Sequence, residues 1–189
     1  MKWFASLPIL ALAACAHAQT VSPHYQVDHA FSVALDRAWA DVSRSASPRL
    51  SPHVHLLTIH GPALDSLYLA GGLKAGDPLW ASVHGEEHPR YRADFSRSEI
   101  VEFVTTSITA LGYVEVVARN VRPAALAGQN GVRFDIETHT IDGLNVSGTA
   151  LASQSGDRLN LILFLAPREH FYPELMPDID RMLVAAAAG

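Results

Sequence analysis

Apolar and polar residues alternate through YQVDHAFSVAL, placing Tyr25, Val27, His29, Phe31, Val33 and Leu35 on one side of an extended chain. A period of two over that length predicts one strand with one buried face. VHLLTI and SLYLAGGL are two further strand candidates, separated by the Gly61-Pro62 turn signal; Gly71 and Gly72 inside the second mark a bulge or a close backbone approach. The period then changes. In SRSEIVEFVTTSITALG, Ser96 and Glu99 have the spacing of a capping box, and Ile100, Val104, Ile108 and Leu111, joined by Val101, form a stripe at helical spacing. Gly112 suits the position just past the last turn. The polar side of this helix is Thr and Ser rather than charge, which fits a partly covered helix.

Alternation returns after Gly112. YVEVVARNV reads as a strand and PAALAGQNG as a loop, and GVRFDIETHTI pairs with LNVSGTALA across Asp142-Gly143, a type I′ hairpin signal. Gly148 stands where a larger side chain would crowd a neighbour. After a turn at SQSGD, RLNLILFLA is almost wholly apolar and reads as a central strand covered on both faces, ended by Pro167. PELMPDIDRMLVAAAA supplies a terminal helix, with Pro177 expected at its first position and Met176, Ile179, Met182 and Leu183 facing inward. The stretches 43–52 and 81–94 lack any period and read as loops. The order is β β β α β β β β α. A central strand buried on both faces needs cover on each side, so the expected class is α+β: an α/β/α sandwich around a mostly antiparallel sheet of about six to seven strands, with a helix on each face.

The first residues change the picture of where this domain works. WFASLPILALAA, residues 3–14, is an apolar run behind Lys2, too short to span a membrane and of the right length for an export signal. Two cuts compete at its end. LAAC, Leu12 to Cys15, looks like a bacterial lipobox, with lipidation at Cys15; AHA, Ala16 to Ala18, fits release before Gln19. The apolar run abuts Cys15, and Cys15 is the single cysteine of the 189 residues, which favours the lipobox. The expected organisation is a signal peptide over 1–18, a short linker over 19–24 and one domain over 25–189. The formal charge of −5 becomes more negative once Lys2 is removed, and the remaining cations are Lys74 and twelve scattered arginines. That balance excludes nucleic acid as a natural partner and leaves membrane association to a covalent anchor.

The run GQNGVRFDIETHTIDGLNVSGTALASQSGDRLNLILFLAP with the following HFY, residues 128–172, resembles small bacterial exported lipoproteins of unknown function. The shared features are a Gly-x-Arg-Phe strand, an Asp-Gly turn, a strand ending in small residues and a Leu-rich strand closing at Ala-Pro; ADFSRSEIVEFV resembles the same group's helix entry. The strand and helix order also resembles the Mog1/PsbP-like fold by topology. These resemblances imply an envelope location, the outer membrane facing the periplasm since Ala16 rather than Asp follows Cys15, with a soluble periplasmic or secreted protein as the alternative. They imply no activity.

Candidate chemistry is sparse. HGEEH, His84 to His88, has the H-x-x-E-H pattern of a metalloprotease class, but Gly85 and Pro89 argue against the helix that chemistry needs. His53 and His55, two apart, share a face on a strand and could begin a metal site, with Zn²⁺ as the candidate ion and His60, His84 or His88 as a third ligand. Ser153 and Ser155 lie in no nucleophile elbow, AGGLKAGD has no phosphate-loop spacing, and Asp135 and Glu137 with Arg133 and His139 read as a wet, ion-paired strand face. Trp39, Trp80 and Tyr91 read as core anchors. No catalytic residue is assigned. The sequence supports a non-enzymatic, lipid-anchored envelope protein with an unknown protein or small-ligand partner. The alternative is a periplasmic metal-binding protein or metal-dependent hydrolase using His53 and His55.

Overall fold

The Leu-rich segment lies at the centre of the molecule, as its apolar character requires. The computed structural model describes residues 19–46, 50–81 and 87–187. In chain order the elements are β1 (Gln19–Thr20), β2 (His24–Val27), β3 (Phe31–Ala34), β4 (Ala40–Asp41), a 3-10 turn at Ser43–Ser45, β5 (Val54–Thr58), β6 (Ser66–Lys74), α1 (Arg97–Ala110), β7 (Tyr113–Leu126), β8 (Gln129–Thr140), β9 (Asn145–Ser155), β10 (Arg158–Pro167) and α2 (Phe171–Ala187). Eight strands form one sheet in the order β1-β4-β5-β6-β10-β9-β8-β7, and every pairing in it is antiparallel. Every residue of β10 from Leu159 to Pro167 is buried. α1 covers one face, over a core that includes Trp80, Tyr91, Phe134 and Leu163. α2 covers the other, with Leu57, Leu69, Phe164 and Ile179. The expected α/β/α arrangement is therefore present, with two two-residue strands, β1 and β4, that periodicity did not mark. No helix among the described residues is long and apolar enough to cross a membrane.

The 25–35 segment is not one strand but a hairpin, β2 and β3, forming a second, two-stranded sheet on the α2 face. Its turn holds Asp28 and His29 at φ of 43° and 59°. The alternation could not reveal this. Tyr25 pairs with Val33 and Val27 with Phe31, and paired residues point the same way, so the inward set is the same for a hairpin as for a straight strand. The polar lead-in expected over 19–24 carries β1 and the start of β2.

Other expectations shift for local reasons. PAALAGQNG is not a loop: β7 runs through Pro123 to Leu126 and turns at Ala127-Gly128. Pro123 is tolerated because β7 is the sheet's edge. Bulges take β7 past Glu115 and Asn120, both at positive φ. At the β8–β9 turn only Gly143 has positive φ, so Asp142-Gly143 belongs to a longer loop than a type I′ pair. Ser153 is buried inside β9, its hydroxyl donating to the Leu126 carbonyl at 3.1 Å. α2 begins at Phe171, so Pro177 sits inside the helix rather than at its start; its ring removes the amide that would have paired with the Pro173 carbonyl.

The capping box of α1 is complete: the Glu99 amide donates to Ser96 Oγ at 3.3 Å and the Ser96 amide to Glu99 Oε2 at 2.7 Å. Replacing Ser96 by Ala should lower stability by about 1 kcal/mol. The readout is the urea midpoint at unchanged slope. An unmoved midpoint would mean that packing of Ile100, Phe103 and Val104 alone holds this end.

Candidate functional site

Two glycines in β6 set the geometry on the α2 face. Gly72, at φ 71°, makes the bulge where Leu159 pairs with Leu73 and Leu161 with Ala70. Gly71 lies under the β2–β3 hairpin: a Cβ there would stand 2.7 Å from the Val27 carbonyl oxygen. The absence of a side chain lets the hairpin lie on the sheet, and it brings the residue after Val27, Asp28, against β5.

His53 and His55 face that hairpin, on the side of β5 opposite Val54 and Leu56. Asp28 meets both: one carboxylate oxygen is 3.5 Å from His53 Nδ1 and the other 3.2 Å from His55 Nε2. On its far side the His55 ring meets Tyr25, with Nδ1 3.1 Å from the phenolic oxygen and the rings edge to face. Tyr25 donates to Asp41 Oδ2 at 2.9 Å. Asp41 in turn accepts from the Ser43 amide and hydroxyl, and Ser43 Oγ accepts from the Leu56 amide at 2.9 Å. Six side chains from the hairpin, β4, the 3-10 turn and the start of β5 thus form one polar chain, His53–Asp28–His55–Tyr25–Asp41–Ser43.

The protons along this chain are fixed by its ends. Burial, then the Asp41 hydrogen bond and the charges of Asp41 and Asp28, push the Tyr25 phenol well above its ordinary range, so it keeps its proton. For Asp41, burial works to raise the carboxyl, but the bonds from Ser43 and Tyr25 and the proximity of His55 outweigh it, and the carboxyl ends below the ordinary carboxylate range. Tyr25 has one proton and spends it on Asp41, so the hydrogen-bond network assigns the proton between Tyr25 and His55 to His55 Nδ1.

Of the ligands expected beside His53 and His55, His60 is held elsewhere, by Asp65 at 3.2 Å and against the Phe171 ring. His84 lies outside the described residues, as does most of HGEEH; His88 is buried. Among the described residues no three or more His, Cys, Asp or Glu side chains stand arranged as a metal-holding group. Cys15 also lies outside them. Trp39, Trp80 and Tyr91 are core residues, and the acids of β8 are ion-paired on its wet face, Glu137 with Arg119 at 3.3 Å and Asp135 with Arg122 at 3.5 Å.

On the α1 face a cleft of about 360 Å³ opens between the segment after β4, the β5–β6 loop and the end of α1. Val42, Leu56, Pro62 and Leu111 give it apolar walls, and Tyr68 and Tyr113 are its aromatic groups. Burial raises both phenols, Tyr68 to about 12, so both are neutral hydroxyls near neutral pH. Sequence reasoning missed this cleft and missed Asp28, Tyr25, Asp41 and Ser43. The Asp-His pair at the hairpin turn was the one available signal, since Asp tolerates the left-handed conformation found there.

No protein-family model and no curated protein matches the chain. Among solved structures, cyanobacterial PsbP (CyanoP) from Synechocystis sp. PCC 6803 superposes with a TM-score of 0.56 over 95% of this chain and 97% of that one. The fold is PsbP-like. At 11% identity the likeness reaches the architecture and no further. It bears out the topological resemblance read from the order of strands and helices.

Proposed function

We propose that this chain is a non-enzymatic lipoprotein of the bacterial envelope, tethered through Cys15, whose domain acts by binding a small ligand or protein partner. The observation that carries the binding reading is the chemistry of the cleft. Its described walls contain no carboxylate, imidazole, thiol or cation, and its tyrosines stay protonated. Such a surface can hold an apolar group and hydrogen-bond its polar end, and the Ser45 hydroxyl in its wall has no imidazole or carboxylate of the lining beside it to activate it for turnover. Its volume is at the lower end of the range for small-molecule sites.

The anchor rests on LAAC and on the position of Cys15 four residues before β1. Four residues reach at most about 14 Å, so an acylated Cys15 would hold the β1 edge close to the bilayer. A diacylglyceryl group with an N-acyl chain exceeds what stable anchoring needs, so a mildly acidic surface is no obstacle. Ala16 after the cysteine favours the outer membrane.

Intact mass of the protein recovered from bacterial membranes tests the anchor. The native chain should start at Cys15 and carry the acyl mass, and Cys15→Ser should lack it and leave the membrane fraction. A native mass starting at Gln19, or full membrane retention of the variant, would overturn the anchor. Robust hydrolysis of a common ester, peptide or phosphate substrate, lost in one point variant, would overturn the non-enzymatic reading.

A further inference from the structure

We propose that the cleft on the α1 face takes an uncharged small molecule, with an apolar body and one hydrogen-bond-accepting oxygen of the ketone, ester or amide kind, held by the Tyr68 and Tyr113 hydroxyls. This rests on the binding reading of the same cleft and narrows it to one ligand class. Every described wall residue is apolar or carries only a hydroxyl. A carboxylate or an ammonium group moved from water into such walls loses its hydration and meets no opposite charge; hydrogen bonds from two phenols offset that cost only in part. The tyrosines themselves are subject to the same bias. Burial raises both phenols; in Tyr68 the neighbouring Tyr113 adds to the rise, and the Ser66 hydroxyl opposes it without reversing it. Walls that disfavour a phenolate disfavour a ligand carboxylate for the same reason.

The hydrogen-bonding groups fix the second property of the ligand. Ser45 gives its hydroxyl proton to the Val42 carbonyl at 3.1 Å, so the side-chain donors left to a ligand are the two phenols. Their match is an acceptor oxygen. Both rings are positioned from the side of α1. Tyr68 lies edge to face against Trp80, with ring centroids 4.9 Å apart, and the fully buried Trp80 donates its indole N–H to the Ser107 carbonyl of α1 at 2.7 Å. Tyr113 follows Gly112, just past the end of α1, and pairs with Thr140 of β8. Donors already held in place lose little freedom when a ligand arrives, which favours a small molecule over a site that must first be ordered.

The test uses the full mature chain, prepared with Cys15→Ser so that no acyl chain takes up apolar probes, and equilibrium dialysis against four naphthalenes of matched size. 2-Acetylnaphthalene supplies the carbonyl, 2-ethylnaphthalene lacks it, and 2-naphthoate and 2-naphthylmethylammonium carry the two charges. The ketone should bind with one equivalent, the ethyl compound about 5- to 10-fold more weakly, and each ion at least about 100-fold more weakly. Tyr68→Phe and Tyr113→Phe should each weaken the ketone about 5-fold and leave the ethyl compound unchanged, since the ring stays and only the hydroxyl goes. Ala63→Trp, which fills the cleft from its exposed rim, should abolish binding of all four. Far-UV circular dichroism checks that each variant is folded. Either ion bound as tightly as the ketone, or an undiminished preference for the ketone over the ethyl compound in the double Tyr→Phe variant, would overturn the ligand class and leave the binding reading standing. No binding of any probe up to its solubility, or full binding in Ala63→Trp, would overturn both.

Discussion

Gly148→Val should cost this protein about 3 kcal/mol or more, the upper end of what overpacking a core does. Gly148 lies in β9, with β8 on one side and β10 on the other, opposite Ile136 and Leu165. A Cβ there would stand 2.6 Å from Leu165 Cδ2 and 2.7 Å from the Phe164 carbonyl oxygen. The leucine could turn away, but the carbonyl belongs to the backbone of the central strand and cannot move without disturbing the pairing of β9 and β10. The Gly148 carbonyl also accepts from the Tyr172 hydroxyl at 3.3 Å, so a shifted β9 would disturb α2 as well. The measurement is urea unfolding followed by circular dichroism. Gly76→Ala is the control: its φ of 91° makes any side chain strained, but nothing lies within 4 Å of the new Cβ, so the cost should stay near 1–2 kcal/mol. Equal midpoints for the two variants would mean that the sheet relaxes around position 148.

Gly148 shows what a sequence can disclose. A lone glycine in an otherwise regular strand pattern has few explanations, and a close approach is the commonest. The same holds for the capping box at Ser96, the bulge at Gly71-Gly72 and the buried run of β10, each a local pattern with a local cause. Errors arose where two structures share one pattern. A hairpin with Val27 opposite Phe31 buries the same side chains as a straight strand, so periodicity is blind to the difference between them. Pro123 and Gly128 looked like loop residues, yet an edge strand asks little of its amides and accepts proline. Pro177 looked like a helix start because proline is at home there, but Leu175 before it is fully buried, and burial of that turn extends α2 backwards past the proline.

The candidate sites were legible in part for the same reason. His53 and His55 could be placed on one face from their spacing alone. Their carboxylate could not, because Asp28 reaches them through a fold-back that depends on Gly71 lying 18 residues beyond His53. The cleft on the α1 face was out of reach of any periodicity argument, since its walls come from five separate stretches of chain. Local rules decide elements; the assembly of a site depends on which turns bring those elements together.

The β5–β6 loop is one such turn, and Asp65→Ala should lower stability by about 2–4 kcal/mol. Asp65 is a buried carboxylate that organises residues 59–65 as a capping side chain organises a helix end. Its oxygens accept from the Ile59 amide at 2.6 Å and the His60 amide at 2.7 Å, and the His60 ring lies beside one of them. Alanine leaves two part-buried amides with no acceptor, and each such loss costs about 1–3 kcal/mol. Asparagine keeps one carbonyl oxygen and can serve one amide, so Asp65→Asn should fall between alanine and the native chain. The same loop carries Pro62, a wall of the cleft, whose carbonyl accepts at 2.8 Å from the hydroxyl of Ser66, the first residue of β6. Freed of Asp65, the loop should open locally before the sheet unfolds. Hydrogen exchange should therefore accelerate at 59–65 in Asp65→Ala by more than the global loss of stability accounts for, while amides of β10 track the global value. Uniform acceleration across both segments would show that the carboxylate supports the whole domain rather than the mouth of the cleft.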